Sequence, residues 1–147
     1  MAVLDLKIQN EIDKKRFGAN EFYLSDKERY FKLKNEAWEL YPEPKENWAE
    51  SYSLAKDFFK AYLKENDFNK AKEWLNIMIA HNNNLHLMDD DLWFNVGKYY
   101  FETKEYDEAL NHFKEVVKEA GLRCFEGEDR KYLDFYKKPQ KYINKIK

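Results

Sequence analysis

Apolar side chains recur every three or four residues along most of the chain, which predicts a series of amphipathic helices. The pattern is clearest over residues 48–121, where it predicts two pairs of helices joined by short polar turns at residues 66–67 and 103–105. The predicted core faces are Trp48, Tyr52, Ala55, Phe59 and Tyr62; Phe68, Ala71, Leu75 and Met78; Trp93, Val96 and Tyr100; and Tyr106, Ala109, Leu110, Phe113, Val116 and Val117. Gly121 is expected as a left-handed helix C-cap.

Further helices are expected on both sides of these pairs. Ser25 and Glu28 have the spacing of a capping box, which predicts Ser25 as the N-cap of a helix over about residues 26–41. The apolar pattern near the C-terminus predicts a helix over about residues 127–136 and a last turn after Pro139 that carries Tyr142, Ile143 and Ile146. Residues 1–20 could form a short helix or a partly ordered end.

The two predicted helix pairs are copies of one unit at an offset of 38 residues. The segment Lys64–Ala71 aligns with Glu102–Ala109, and Tyr62 falls on Tyr100 under the same offset. Each copy has an apolar face that it cannot bury alone, so neighbouring elements must stack on it.

This repeat resembles the tetratricopeptide repeat family, whose helical pairs recur about every ~34 residues with Trp, Gly, Tyr, Ala and Phe at fixed spacing. The matching residues of the second copy are Trp93, Val96, Gly97, Tyr100, Tyr106, Ala109 and Phe113. The first copy is degenerate, with Ala55 in place of Trp and Phe59 in place of Gly. Residues 125–135 are similar to the capping segment of small stand-alone bacterial members of the family.

The resemblance implies an all-α fold, in which residues 1–147 form a single domain. We expect a short α-solenoid of antiparallel helix hairpins, with repeats over about 48–84 and 89–121 and capping helices over about 26–41 and 127–146. Gly97 is expected where the two helices of a repeat cross closely, with Ala109 as its small partner on the facing helix.

Composition excludes several classes of protein. Aromatic residues make up 18% of the chain and its net charge is only −2, which argues against disorder and against a dedicated nucleic-acid binder. Because the sequence has no long apolar run, we expect neither a signal peptide nor a membrane-spanning helix. The single cysteine, Cys124, is typical of a reducing compartment, so we expect a cytoplasmic protein.

Charge is unevenly distributed near the C-terminus. Residues 89–121 carry 4 basic and 9 acidic side chains, whereas residues 122–147 carry 8 basic and 4 acidic ones. Opposite charges in adjacent segments could attract each other within the fold, or the acidic segment could meet a basic partner. The basic tail is better explained as a solvated helix than as a phosphate-binding surface.

Candidate chemistry is sparse. Cys124 and His112 could pair as nucleophile and base, but no orienting group accompanies them. His81 and His86 are five residues apart, which does not place them on one helical face, and Asp89 is expected as a helix N-cap. We therefore predict no catalytic residue, no metal site, no cofactor and no enzyme activity.

The family resemblance implies a binding surface instead, because the first helix of each repeat lines a concave face. The predicted partner-binding residues are Ser53, Lys56, Lys60 and Lys64 in the first repeat and Phe94, Asn95, Lys98 and Phe101 in the second. Exposed aromatic side chains beside lysines favour a protein or peptide site. In the alternative interpretation, Phe94 and Phe101 pack under the N- or C-terminal helices of this short array.

The sequence therefore predicts a protein-binding module, a monomer or weak homodimer, that holds a protein or peptide through its concave face. The alternative is a bacterial immunity protein that neutralises a toxin domain by direct binding, with the acidic segment meeting a basic toxin.

Overall fold

The computed structural model describes residues 3–86 and 89–143, and these residues form helices and turns without a strand. The α-helices are α1 (Leu6–Gly18), α2 (Lys27–Leu40), α3 (Ala49–Lys64), α4 (Phe68–Leu85), α5 (Asp89–Glu102), α6 (Tyr106–Ala120), α7 (Arg130–Lys137) and α8 (Gln140–Ile143). Short 3-10 helices cover Ala19–Phe22, Lys45–Asn47 and Leu122–Phe125. The predicted all-α, repeat-like fold is confirmed.

The chain divides into two compact units, Met1–Leu87 and Met88–Lys147. The first unit contains α1 to α4 and the second contains α5 to α8. The division falls between the two predicted repeats, so each repeat hairpin belongs to its own unit. The single domain expected over residues 1–147 stays a prediction.

The turns inside the two hairpins are built in the same way. Asn66 and Lys104, 38 residues apart, both adopt the left-handed backbone conformation, with φ of 62° and 66°. The closing hydrogen bonds run from Asp67 N–H to Tyr62 O (2.9 Å) and from Glu105 N–H to Tyr100 O (2.8 Å). Both turns are Schellman-type helix ends, so the backbone confirms the repeat offset read from the sequence.

The first unit adds the hairpin of α1 and α2 to the first repeat. Ile12 of α1 is fully buried, so the N-terminal segment forms an ordered helix. The rings of Phe58 and Trp74 stack with centroids 3.9 Å apart between α3 and α4. Ser25 is not the N-cap of α2: the Asp26 carboxylate accepts the Arg29 N–H at 3.1 Å and starts the helix one residue later than predicted.

The second unit packs α7 and α8 against the second repeat. Gly97 lies at a close crossing, as predicted, but the nearest atoms across it belong to Phe113 and not to Ala109: a Cβ at Gly97 would come within 2.7 Å of Cε1 and 2.9 Å of Cδ1 of Phe113. The ring of Phe113, fully buried, fills the space that the missing Gly97 side chain leaves.

Helix boundaries in the second unit differ from the prediction in three places. The helix expected over about residues 127–136 begins three residues later, at Arg130, and ends at Lys137. The separate last turn expected after Pro139 is confirmed as α8, because Pro139 disfavours helical backbone at Lys138; Ile146 lies outside the described residues. Gly121 has a positive φ of 75°, as a left-handed C-cap would, but its ψ of −175° is extended and not left-handed helical. Asp89 is the first residue of α5, not its N-cap.

Candidate functional site

The predicted first-repeat residues lie along one face of α3. Ser53 and Lys56 are half-buried, whereas Lys60 and Lys64 are exposed. The Lys64 ammonium lies over the ring of Tyr23, 5.3 Å from its centroid. We call these four α3 residues, Ser53, Lys56, Lys60 and Lys64, the lysine ridge.

Asp57, beside this ridge on α3, is held by one cation from α1 and one from α2. Arg16 of α1 donates to both carboxylate oxygens, from Nε at 2.7 Å and from Nη2 at 3.2 Å. Lys34 of α2 donates from Nζ at 2.8 Å, and its side chain is 1% exposed. The cluster therefore contains two positive charges and one negative charge, and it ties α1 and α2 to α3.

The ionisation of this cluster follows from its contacts. Burial alone would raise the pKa of Asp57, but hydrogen bonds from Arg16 and Lys34 and their charges outweigh it and hold that pKa below its usual range. Burial lowers the pKa of Lys34 and the Arg16 charge adds to this, against the opposing contacts with Asp57. The Asp57 carboxylate is thus ionised at neutral pH and is engaged by Arg16 and Lys34 beside the lysine ridge.

The predicted second-repeat residues are all buried. Phe94 is 5% exposed, Asn95 3%, Lys98 4% and Phe101 8%. The C-terminal segment of the same unit covers Phe94, Lys98 and Phe101. The ring contacts run from Phe94 to Phe125 (5.2 Å between centroids) and from Phe101 to Tyr132 (5.3 Å), Phe135 (5.2 Å) and Tyr142 (5.5 Å).

The prediction of an exposed aromatic ridge is therefore wrong, and the alternative that Phe94 and Phe101 pack under the C-terminal helices is confirmed. Both rings belong to the hydrophobic core of the second unit. A partner-binding role for these positions stays a prediction, which would require the C-terminal segment to leave them.

Polar contacts hold the same cover in place. Lys98 Nζ lies 2.7 Å from Glu128 Oε1, and Lys131 Nζ lies 2.6 Å from Glu102 Oε1. The Asn95 side-chain amide donates to the Asp91 carbonyl on its own helix at 2.8 Å. The Glu102–Lys131 pair joins an acid of the acidic segment to a lysine of the basic segment, as one interpretation of the charge pattern expected. In the Lys98–Glu128 pair the lysine belongs to the acidic segment and the acid to the basic one.

A second surface feature lies between α5 and α6, a groove of about 530 Å³. Its lining includes Trp93, His112, Val116, Asp90, Glu115 and Glu119. Trp93, predicted to face the core, is 47% exposed. The His112 ring lies against it with centroids 5.6 Å apart. We call this feature the Trp93 groove.

Two residues considered for chemistry in the sequence are Cys124, as a nucleophile, and His81, as a metal ligand. Cys124 is half-buried, and burial raises the pKa of its thiol, which therefore stays protonated at neutral pH. The ring nitrogens of buried His81 lie 2.8 Å from the Ile77 carbonyl oxygen and 3.1 Å from the Lys45 one. Within residues 3–86 and 89–143, no group of three or more His, Cys, Asp or Glu side chains is placed to hold a metal ion.

Comparison with known proteins places the second hairpin in a family. No curated protein and no solved structure matches the chain. Over the described part of the chain, no helix has both the length and the apolar character needed to cross a membrane. Residues 90–121, which span nearly all of α5, the following turn and α6, match the tetratricopeptide repeat model, so the second hairpin of this chain is a tetratricopeptide repeat.

Proposed function

We propose that this protein is a non-catalytic binding module that holds an acidic segment of a partner protein on the lysine ridge of α3. Tetratricopeptide repeats serve generally as protein-interaction modules, which supports the class of function. The observation that carries the choice of surface is the exposure of Lys60 and Lys64, one helical turn apart, on the helix that lines the binding face in the family.

The charges around the ridge support an acidic partner. Two carboxylates are next to ridge lysines in sequence, and both are engaged by groups outside the ridge: Asp57 by Arg16 and Lys34, and Glu65 by Tyr23 at 2.8 Å and Lys27 at 3.8 Å. The ridge therefore keeps a local excess of positive charge. Exposed lysines of this kind speed the encounter with an acidic surface, and added salt screens their attraction.

The immunity protein that neutralises a cognate toxin is the second candidate. The exposed carboxylates of Asp90, Glu115 and Glu119 favour it, because a basic toxin domain would meet complementary charge there. Neither function requires a cofactor or a catalytic group, and both suit a monomer or a weak homodimer.

Affinity purification from the native source tests the proposal with three baits. These are the unmodified chain, Lys60→Glu with Lys64→Glu, and a matched control with the exposed pair Lys14→Glu and Lys32→Glu. We expect a stoichiometric partner on the unmodified chain and on the control, and its loss from the ridge variant. With the recovered partner purified, the ridge variant should raise the Kd by ~10-fold or more, mainly through slower association.

Equal recovery on all three baits would contradict binding at the lysine ridge. A recovered toxin domain that still binds the ridge variant would replace the first function with the immunity function.

A further inference from the structure

Trp93 is an exposed aromatic side chain on a unit whose other large rings are mostly buried. Of the four tryptophans, Trp93 alone is exposed, at 47%, while Trp38, Trp48 and Trp74 are half-buried. Its indole lies in the groove between α5 and α6, with the His112 ring at 5.6 Å and the buried Val116 beside it. A tryptophan in a groove presents a large apolar face to an incoming side chain, and tryptophan is enriched among the residues that dominate protein interfaces.

The charges around this indole have one sign. Asp90, Glu115 and Glu119 line the groove and are exposed. Among the described residues that line it, none is lysine or arginine. Glu102 and Glu128 of the same unit, by contrast, lie outside the groove lining and are paired with Lys131 and Lys98.

An aromatic face surrounded by carboxylates selects a cation. A guanidinium or ammonium group over an indole is attracted by the ring electrons, and a guanidinium pairs strongly with carboxylates through parallel hydrogen bonds. The apolar stem of an arginine or lysine would also cover the exposed indole.

We propose that the Trp93 groove docks a basic segment of a partner protein, with an arginine or lysine side chain lying on the Trp93 indole between the carboxylates of Glu115 and Glu119. This surface is distinct from the lysine ridge and uses other residues of the chain. Its partner segment has the opposite charge to the one proposed for the lysine ridge.

The experiment titrates the isotope-labelled full chain with a short arginine-rich peptide and follows the four tryptophan indole N–H signals by NMR. The control peptide has citrulline at each arginine position, which keeps the shape and removes the charge. We expect the Trp93 signal, assigned through Trp93→Phe, to move saturably with the arginine peptide alone, while the other three indole signals stay in place.

Two variants test the groove and one controls for net charge, and the Kd of each is measured by isothermal titration calorimetry because Trp93→Leu removes the NMR signal that reports binding. Trp93→Leu should raise the Kd by ~10-fold or more, and Glu115→Gln with Glu119→Gln should raise it by about ~5-fold and weaken its salt dependence. Glu11→Gln with Glu39→Gln removes the same charge from exposed positions of the first unit and should leave the Kd unchanged. Lys60→Glu with Lys64→Glu should not weaken binding, so this result is independent of the lysine ridge.

Three results would overturn the proposal. The first is equal binding of the citrulline peptide, and the second is equal weakening by the control pair, which would indicate attraction to net charge alone. The third is movement of the Trp93 signal with protein concentration in the absence of peptide, because the occupant would then be a second copy of this chain, through basic residues such as Lys137, Lys138 and Lys141.

Discussion

Lys60 and Lys98 occupy equivalent positions in the two repeats, 38 residues apart, yet they have opposite environments. Lys60 is exposed, whereas Lys98 is 4% exposed and lies 2.7 Å from Glu128. The second repeat is covered at this face by the C-terminal segment of its own unit, which supplies Glu128. Whether a repeat face is open to a partner therefore depends on what the rest of the chain places over it, and not on the repeat pattern alone.

Side-chain chemistry matches the two environments. Phe94 and Phe101 of the second repeat are buried among aromatic rings of the C-terminal segment, and each such ring stabilises the fold by about ~1.5–3 kcal/mol through burial. At the position equivalent to Phe94 the first repeat has Lys56, and one helical turn further on it has Lys60. Lysine gains little from being covered. The eight-residue α7 is too short to be stable alone, so its packing on these rings holds it in place.

The largest expected effect follows from removing the rings. Phe94→Ala with Phe101→Ala should destabilise the second unit by about ~3–5 kcal/mol for each ring, because each substitution leaves a cavity in the core. We expect a loss of helicity by circular dichroism. Lys60→Ala with Lys64→Ala, the matched change on the first repeat, should alter the free energy of unfolding by less than about ~0.5 kcal/mol per residue. Unchanged helicity in the phenylalanine variant would show that the rings are not core.

The next effect belongs to the first unit and depends on pH. Asp57→Asn leaves Arg16 and Lys34 without their carboxylate and should cost about ~3 kcal/mol at pH 7. Since the folded pKa of Asp57 is lowered, its stabilisation is present above the pKa of the unfolded chain, near ~4, and is lost as pH falls through the folded pKa. Urea unfolding at a series of pH values should show the difference between the two proteins shrinking below about ~4. A difference that does not change with pH would contradict this assignment.

The smallest effect tests the close crossing in the second repeat. Gly97→Ala should cost about ~1–3 kcal/mol, because the new methyl group would meet the Phe113 ring. Gly18→Ala is the control, since a Cβ at Gly18 meets nothing within 4 Å and its φ is −62°. The control should stabilise the protein by about ~0.5–1 kcal/mol. Equal denaturation midpoints for the two variants would show that Phe113 does not limit the space at Gly97.

Local pattern predicted the helices and the repeat well, because both depend on residues close together in sequence. The apolar periodicity predicts α3 to α6 to within a few residues, and the turn at Asn66 recurs at Lys104. The sequence alone could not decide whether Phe94 is exposed, because an apolar helical face has the same residue pattern whether a partner or the chain's own C-terminal segment buries it. Phe125 and Phe135, aromatic residues of the C-terminal segment that also need burial, were the signal in the sequence that could have indicated this cover.

Features that depend on distant residues were missed. Arg16 and Asp57 are 41 residues apart and Lys34 and Asp57 are 23 apart, so no local pattern links these three charges. Trp93 was assigned to the core because it matches the family pattern, yet it is 47% exposed in a groove lined by acids. Both sites depend on side chains that the fold brings together from separate helices.

The central claim is that the C-terminal segment covers Lys98 of the second repeat, whereas the equivalent Lys60 of the first repeat is exposed. Lysine labelling tests it most directly: the native full chain is treated with an amine-reactive reagent, and modification at each lysine is followed over time by mass spectrometry. The account predicts that Lys60 reacts rapidly and that Lys98 is protected until the protein unfolds. Equal rates at Lys60 and Lys98 in the folded protein would contradict it.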